Sequence, residues 1–453
     1  MLCEILRQNF TWCMKFYAII YYGIIKTIIF AENLGTMEKA RKILQVVGQL
    51  KDKKIGRILV LTGARQVGKT MLVQQCLPEY RYLSIEDPVK VGQFLNITAE
   101  QWHSLYPKAA LDEIQKEPSL VESIKATYDQ FPDVRYLLLG SSQILLPKKV
   151  NESLAGRCVI IDMYPLTLRE MQTSSMDDEV TDSLWQTILR NPTQNCDFLP
   201  SFLFHPQMAE ISKWWTYYLQ FGGYPALVDE SISNEQRYLW LHNYIRTYLE
   251  RDIQDLAMLR DLEPFTKLQR ALAAQTAQLV NYASLASGIA VSVNTVQRYI
   301  EYLNVSYQTI TLPAWAHNLN KRLVKASKIH YVDWGVVQAV LGKRGGMTGN
   351  EFESLVVSEI YKQTKNLLKQ ASFYHLRTHD GREVDLLVEL PEGYYAFEIK
   401  MAEHVSPTDA RHLRNLQEFL DKPLLHSFLL SNDNQTHQFS DSITAVSAAY
   451  FLG

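Results

Sequence analysis

Few eight-residue strings restrict a fold as tightly as Gly63-Ala64-Arg65-Gln66-Val67-Gly68-Lys69-Thr70. It follows the apolar run Ile58-Leu59-Val60-Leu61 and opens into Met71-Leu72-Val73, so it reads as the turn between a strand and a helix. GxxxxGK followed by Ser or Thr is the spelling of a phosphate-binding loop. Its glycines let backbone N–H groups face phosphate oxygens, and the following helix presents the positive end of its dipole. In such a loop the backbone from Gly63 to Met71 wraps the phosphates of ATP, Lys69 reaches the β- and γ-phosphates, and the Thr70 hydroxyl ligates Mg²⁺. Arg65 lies inside the loop, where its position favours structural pairing over catalysis.

A nucleotide loop needs a carboxylate to hold the metal and a base to position water. Ala109-Ala110-Leu111-Asp112-Glu113 supplies both at the end of an apolar run. Asp112 is the expected magnesium residue and Glu113 the expected general base, at the carboxyl edge of a neighbouring strand. A third run, Leu137-Leu138-Leu139-Gly140, ends in Ser141-Ser142-Gln143. There Ser142 either senses the γ-phosphate or caps the next element. Arg157 is a candidate arginine finger, with an ordinary surface arginine as the alternative.

At 453 residues the chain needs more than one core. With 47% apolar and 21% charged residues it has the composition of a folded, soluble protein. A net charge of −2 gives no whole-chain attraction to nucleic acid or membrane, so any such contact requires a local patch. Five cysteines without a CxxC or CxxxC pair point to neither zinc nor a disulfide framework, and suit a reducing, cytoplasmic setting. The apolar stretch from Phe16 to Phe30 is broken by Lys26 and is shorter than the roughly 20 residues that span a bilayer. Residues 1–36 are therefore read as an extension ahead of the folded protein, with no stable membrane association expected.

From residue 38 onward, helical and apolar strand-like segments alternate. Strands are predicted at 58–62, 80–85, 109–111, 136–139 and 158–161, with helices at 40–50, after the loop to Cys76, and at 120–131. This βαβα order predicts a doubly wound α/β domain. Residues 173–200 are polar and turn-rich, and read as an exposed excursion. An apolar helix then runs from Trp214 to Gln220 into Phe221-Gly222-Gly223-Tyr224-Pro225. The pattern is helical from Glu235 to Leu303, and strands return at 373–376, 384–390, 394–399 and 427–430.

Within the helical part, Tyr282 to Gly288 and Val291 to Ile300 read as a helix-turn-helix. Gly288 permits the turn, Ser292 or Asn294 caps the second helix, and Val296, Ile300 and Leu303 form its buried stripe. Thr295, Gln297, Arg298 and Glu301 then face outward. Lys321, Arg322, Lys325 and Lys328 form a nearby basic cluster. DNA binding and packing against protein are both open for this unit, since a single exposed arginine supplies little phosphate neutralisation. Near the C terminus Asp385 precedes Glu398-Ile399-Lys400 in a D-x₁₂-ExK spacing on two apolar strands, with Glu353 on the helix before them. Carboxylates and a lysine converging there could hold Mg²⁺ for phosphodiester cleavage; ion pairing between Glu398 and Lys400 is the plainer alternative.

The string 61–70, Leu111-Asp112-Glu113-Ile114-Gln115-Lys116, Leu139-Gly140-Ser141-Ser142, Ser153-Leu154-Ala155-Gly156-Arg157 and the 221–225 motif together resemble a family of prokaryotic AAA-type ATPases. The resemblance runs from about Met37 to the C terminus. It implies a P-loop NTPase sheet, then a winged-helix region with a wing at 308–312, then a C-terminal restriction-endonuclease-like domain. It also implies ATP and Mg²⁺, and allows DNA, a protein partner or a second copy of the chain; the family's C-terminal region has no established activity. The expected divisions are 1–36 extension, 37–172 ATPase, 173–234 polar excursion and helical lid, 235–345 winged-helix region and 346–453 nuclease-like domain.

Overall fold

The computed structural model describes residues 39–140, 153–193, 202–249, 261–317, 326–378 and 381–453. Five strands build the first sheet: β1 Ile58–Gly63, β2 Arg81–Ser84, β3 Lys108–Asp112, β4 Arg135–Gly140 and β5 Cys158–Met163. All pair in parallel, in the order β2-β3-β4-β1-β5. Every residue of β1 is buried, as expected of a central parallel strand covered on both faces. Its side chains alternate between two cores. Leu59 and Leu61 join the larger one, and Ile58 and Val60 pack under Trp102, Ile124 and Tyr136 on the other face.

The middle of the chain is helical: Glu263–Ala274, Tyr282–Gly288 and Val293–Val305, followed by an antiparallel pair, β6 Thr309–Leu312 and β7 Lys328–Tyr331. Leu279 adds a bridge to Lys328 on the free side of β7. Ser292 caps the third helix through the Thr295 N–H, and Val296, Tyr299, Ile300 and Leu303 face inward. The turn differs from expectation at one residue. Gly288 stays in the helix, and Ala290 takes the left-handed conformation at φ 57°. The basic cluster also changes: Lys328 is buried, 3% exposed, and Lys321, Arg322 and Lys325 lie outside the described residues.

A second sheet closes the chain. It contains β8 Ser372–Arg377, β9 Glu383–Glu389, β10 Tyr394–Ile399, β11 Leu424–Ser431, β12 His437–Ser440 and β13 Ile443–Ser447, in the order β12-β13-β11-β10-β9-β8. It is mixed: β10, β11 and β13 run parallel, and the outer strands run antiparallel. The long helix Gly349–Asn366, started by a Thr348–Glu351 capping box, packs on one face.

Residues 173–200 are not an exposed excursion where they are described. A helix at Leu184–Arg190 drives Trp185, fully buried, between Tyr395, Phe397 and Phe451 of the C-terminal region. The indole N–H donates to Thr364 at 2.9 Å, and Ser183 donates to Gln363 at 2.5 Å. The buried Trp185 outweighs the polar residues around it, and its partners, more than 170 positions away, leave no local signature. A buried ion pair adds a second joint. Lys362 and Glu359 meet at 2.9 Å, Glu359 accepts from the Leu168 N–H and the Tyr218 hydroxyl, and Lys362 donates to the Leu166 carbonyl. Hydrogen bonds of this kind are what make a buried ion pair tolerable.

Candidate functional site

The loop leaves β1 at Gly63, whose φ of 154° and close approach to β5 leave no room for a side chain: a Cβ there would lie 2.1 Å from the Met163 carbonyl oxygen. Gly68 ends the loop in a left-handed conformation, φ 93°, and the helix Lys69–Cys76 starts directly after it. Gln66 is also left-handed at φ 63°, an arrangement a non-glycine residue adopts at a cost of about 1–3 kcal/mol. Lys69 is 7% exposed and folds back on the loop, donating to the Gly63 carbonyl at 2.9 Å and the Ala64 carbonyl at 2.7 Å. Ala64 and Val67 are buried, Arg65, Thr70 and Met71 half-buried, and the Arg65 carbonyl accepts from the Tyr244 hydroxyl at 3.1 Å.

The two acidic residues arrive by a route the sequence did not specify. β3 is not next to β1; β4 lies between them. Asp112, the last residue of β3, still reaches the loop helix: its Oδ2 accepts from the Thr70 hydroxyl at 2.7 Å and from the Tyr82 hydroxyl at 2.7 Å. Burial and the Asp112 carboxylate together push the Tyr82 phenol well above its ordinary range. Glu113 follows in a left-handed conformation, φ 58°, with its N–H on Asp112 Oδ1 and its carboxylate accepting from the Gln115 amide. Tyr82 was not foreseen; nothing in its own segment distinguishes it from any strand tyrosine.

A second unforeseen group sits at the end of β1. Thr62 and Tyr307 both donate to Asp162 Oδ1, at 2.9 and 2.6 Å, so the residue before the loop touches the middle region. Arg157 is elsewhere. It precedes β5 at the end of the sheet opposite the loop and pairs with Asp129 at 2.8 Å, near solvent. Six strand residues separate the two ends, about 20 Å, so Arg157 does not reach its own chain's loop. Ser142 lies outside the described residues.

The donor set fits ATP with Mg²⁺: a loop ended by a left-handed glycine, a buried lysine folded onto it, and a hydroxyl–carboxylate pair in contact.

The C-terminal constellation does converge, but around a lysine. Lys328 Nζ lies 2.9 Å from Glu353, 3.0 Å from Glu383 and 3.6 Å from Asp385. Burial opposes its charge, yet the three carboxylates outweigh burial and raise its pKa. Asp385 Oδ2 accepts from the Ile399 N–H at 2.9 Å, and Lys400 pairs with Glu398 Oε1 at 2.7 Å. Burial and the nearby Asp385 push the Glu398 carboxyl up to about 7. Among the described residues no group of three or more His, Cys, Asp or Glu side chains is set to hold a metal ion. The residues present therefore do not fit a divalent ion as they stand.

Three stretches of the chain match family models. Residues 56–172 match a family model described as an AAA domain; residues 212–345 and 348–451 match two described as domains of unknown function, DUF8612 and DUF4143. An uncharacterized protein of Mycobacterium tuberculosis is 28% identical over 406 residues, which is 87% of this chain and 81% of that protein. One from Methanocaldococcus jannaschii is 22% identical over 392 residues, 81% of this chain and 80% of its own length. Among solved structures, the Walker-type ATPase paby2304 of Pyrococcus abyssi is 14% identical with a TM-score of 0.40, covering 67% of this chain and 98% of that one. No helix among the described residues is long and apolar enough to cross a membrane. Residues 56–172 thus combine a match to an AAA domain model with a parallel sheet that carries a P-loop at the carboxyl end of β1.

Proposed function

We propose that the chain is a cytoplasmic, Mg²⁺-dependent ATPase whose nucleotide state governs the middle and C-terminal regions. One observation carries this reading: the 2.7 Å contact between Thr70 and Asp112, which joins the loop helix to a carboxylate two strands away. Lys69 would release the Gly63 and Ala64 carbonyls to neutralise phosphate charge. Thr70 and Asp112 would hold Mg²⁺, which when bound withdraws charge from the transferring phosphoryl group. Glu113, on a strained backbone beside them, would orient and deprotonate the attacking water. Phosphate release by purified protein, wild-type against Glu113→Gln, tests this. The variant should bind ATP and turn over at least about a hundredfold more slowly; equal rates would remove Glu113 from the mechanism.

The Tyr244–Arg65 and Tyr307–Asp162 hydrogen bonds support the governing role, since both run from the loop's surroundings into regions beyond residue 172. The three helices with β6, β7 and the Leu279 bridge support a winged-helix reading of 235–345. Its outward Gln297, Arg298 and Glu301 favour protein contact over DNA. A helix packed on a mixed sheet, with Glu353, Asp385, Glu398 and Lys400 drawn to one place, supports a restriction-endonuclease-like reading of 346–453. Arg157 would serve catalysis only from a second copy of the chain, which makes concentration-dependent turnover the expected sign of a homo-oligomer.

A further inference from the structure

Lys328 stands on β7, which is bound on both sides, to Leu312 by the β6 ladder and to Leu279 by a bridge. The same strand is tied to the helix Gly349–Asn366: the Tyr331 N–H donates to Ser354 at 3.1 Å, and Ser358 donates to the Val332 carbonyl at 2.6 Å. The lysine is thus delivered to the carboxylates by fixed backbone rather than by a wandering surface side chain.

At its destination four carboxylates, from Glu353, Glu383, Asp385 and Glu398, face two ammonium groups, from Lys328 and Lys400. Glu398 is 5% exposed, and its Oε2 has no hydrogen-bond partner among the described residues. A buried carboxylate oxygen without a partner is costly, and its neighbours are acidic. The cluster is therefore short of positive charge in the place where its oxygens converge.

We propose that the Lys328 ammonium stands where a divalent cation would bind among Glu353, Asp385 and Glu398, and that it keeps the C-terminal site of this chain closed to metal. An ammonium supplies one charge and three donors to oxygens that a hard cation would draw in at about 2.0–2.6 Å. It satisfies Glu353 and Glu383, leaves Glu398 Oε2 unmet, and offers no open coordination position for water. The inference rests on the nuclease-like reading of 346–453, but it concerns binding and asks nothing of cleavage.

The test is a titration of nucleotide-free protein with Mn²⁺, free ion being followed by electron paramagnetic resonance. Wild-type protein should show no Mn²⁺ site that depends on Asp385. Lys328→Met should gain one Mn²⁺ per chain, bound at least tenfold more tightly than by wild-type, and Asp385→Asn in the same background should lose it. Lys328→Gln keeps a polar stem should the methionine variant fold poorly; circular dichroism and ATP binding check both. A folded lysine variant with wild-type Mn²⁺ affinity would overturn the proposal. So would wild-type Mn²⁺ binding that Asp385→Asn abolishes. Absence of nuclease or ATPase activity bears on the reading in the preceding subsection and leaves this result intact.

Discussion

The Tyr307 hydroxyl donates to Asp162 Oδ1 at 2.6 Å, on the same oxygen that accepts from Thr62, the residue immediately before Gly63. Tyr307 belongs to the middle region and is itself left-handed, φ 61°. A residue 245 positions from Thr62 thus bears on the first turn of the phosphate loop. Tyr307→Phe should cost about 1 kcal/mol of stability, the net worth of an ordinary hydrogen bond. If the contact transmits nucleotide state, the rise in Tm on adding saturating ATP should also shrink. Thermal unfolding with and without ATP measures both; an unchanged ATP shift would confine Tyr307 to packing.

Lys69→Ala removes the only buried ammonium described at the loop and should weaken ATP binding on the order of a hundredfold, about 2.7 kcal/mol. Anisotropy of a fluorescent ATP analogue gives the affinity directly. Asp112→Asn should behave differently, retaining affinity for nucleotide without metal and losing the further gain that Mg²⁺ confers. If Asp112→Asn left the Mg²⁺ gain intact, the metal assignment at Thr70 and Asp112 would fall.

Trp185→Ala should cost about 3–5 kcal/mol, the usual consequence of emptying an aromatic site in a core. Guanidinium unfolding supplies the number. A double-mutant cycle with Phe397→Leu should give a coupling above 0.5 kcal/mol, because the rings lie 5.3 Å apart. Additive effects would mean that the ring contact contributes nothing beyond burial.

His330 gives a pH dependence of definite sign. It is fully buried, with both ring nitrogens unpartnered among the described residues. Burial first, then the charges of Lys328 and His375, hold its pKa well below the ordinary 6.5. The folded protein keeps the ring neutral, whereas the unfolded chain takes up a proton below about pH 6.5. Stability should therefore decline as pH falls from 7 to 5, by up to about 1.4 kcal/mol per unit from this residue. His330→Leu should flatten that part of the Tm–pH curve; an identical slope would assign the acid loss to other groups.

The first sheet and four strands of the second were legible because buried strands are often written as short unbroken apolar runs, as at 58–61 and 137–139; β13 Ile443–Ser447 was missed. The loop and Asp112-Glu113 were legible because their chemistry needs those residue types at the ends of such runs. Strand order was not: nothing in the composition of β4 says that it separates β1 from β3. β12, at His437–Ser440, is a polar edge strand and carries no apolar run to find. Tyr82, Tyr244 and Tyr307 escaped notice because a tyrosine's hydroxyl acquires its role only from a distant partner. Lys328 misled for the same reason. In the sequence it extends a basic stretch, and only the fold turns it inward onto Glu353 and Asp385.

The helix that carries Trp185 has a mechanical consequence. The largest apolar core passes without interruption from β1 through that helix to Phe451 and Leu452, taking in the middle helices on the way. A protease or a gene truncation acting between the three regions would not release three independent proteins; it would expose apolar surface of the shared core on each piece. Among the described residues, that core joins all three regions, with two smaller cores beside it. Under the proposed nucleotide cycle, the expected changes are small rearrangements at hydrogen-bonded contacts around the loop, such as Tyr244–Arg65 and Tyr307–Asp162.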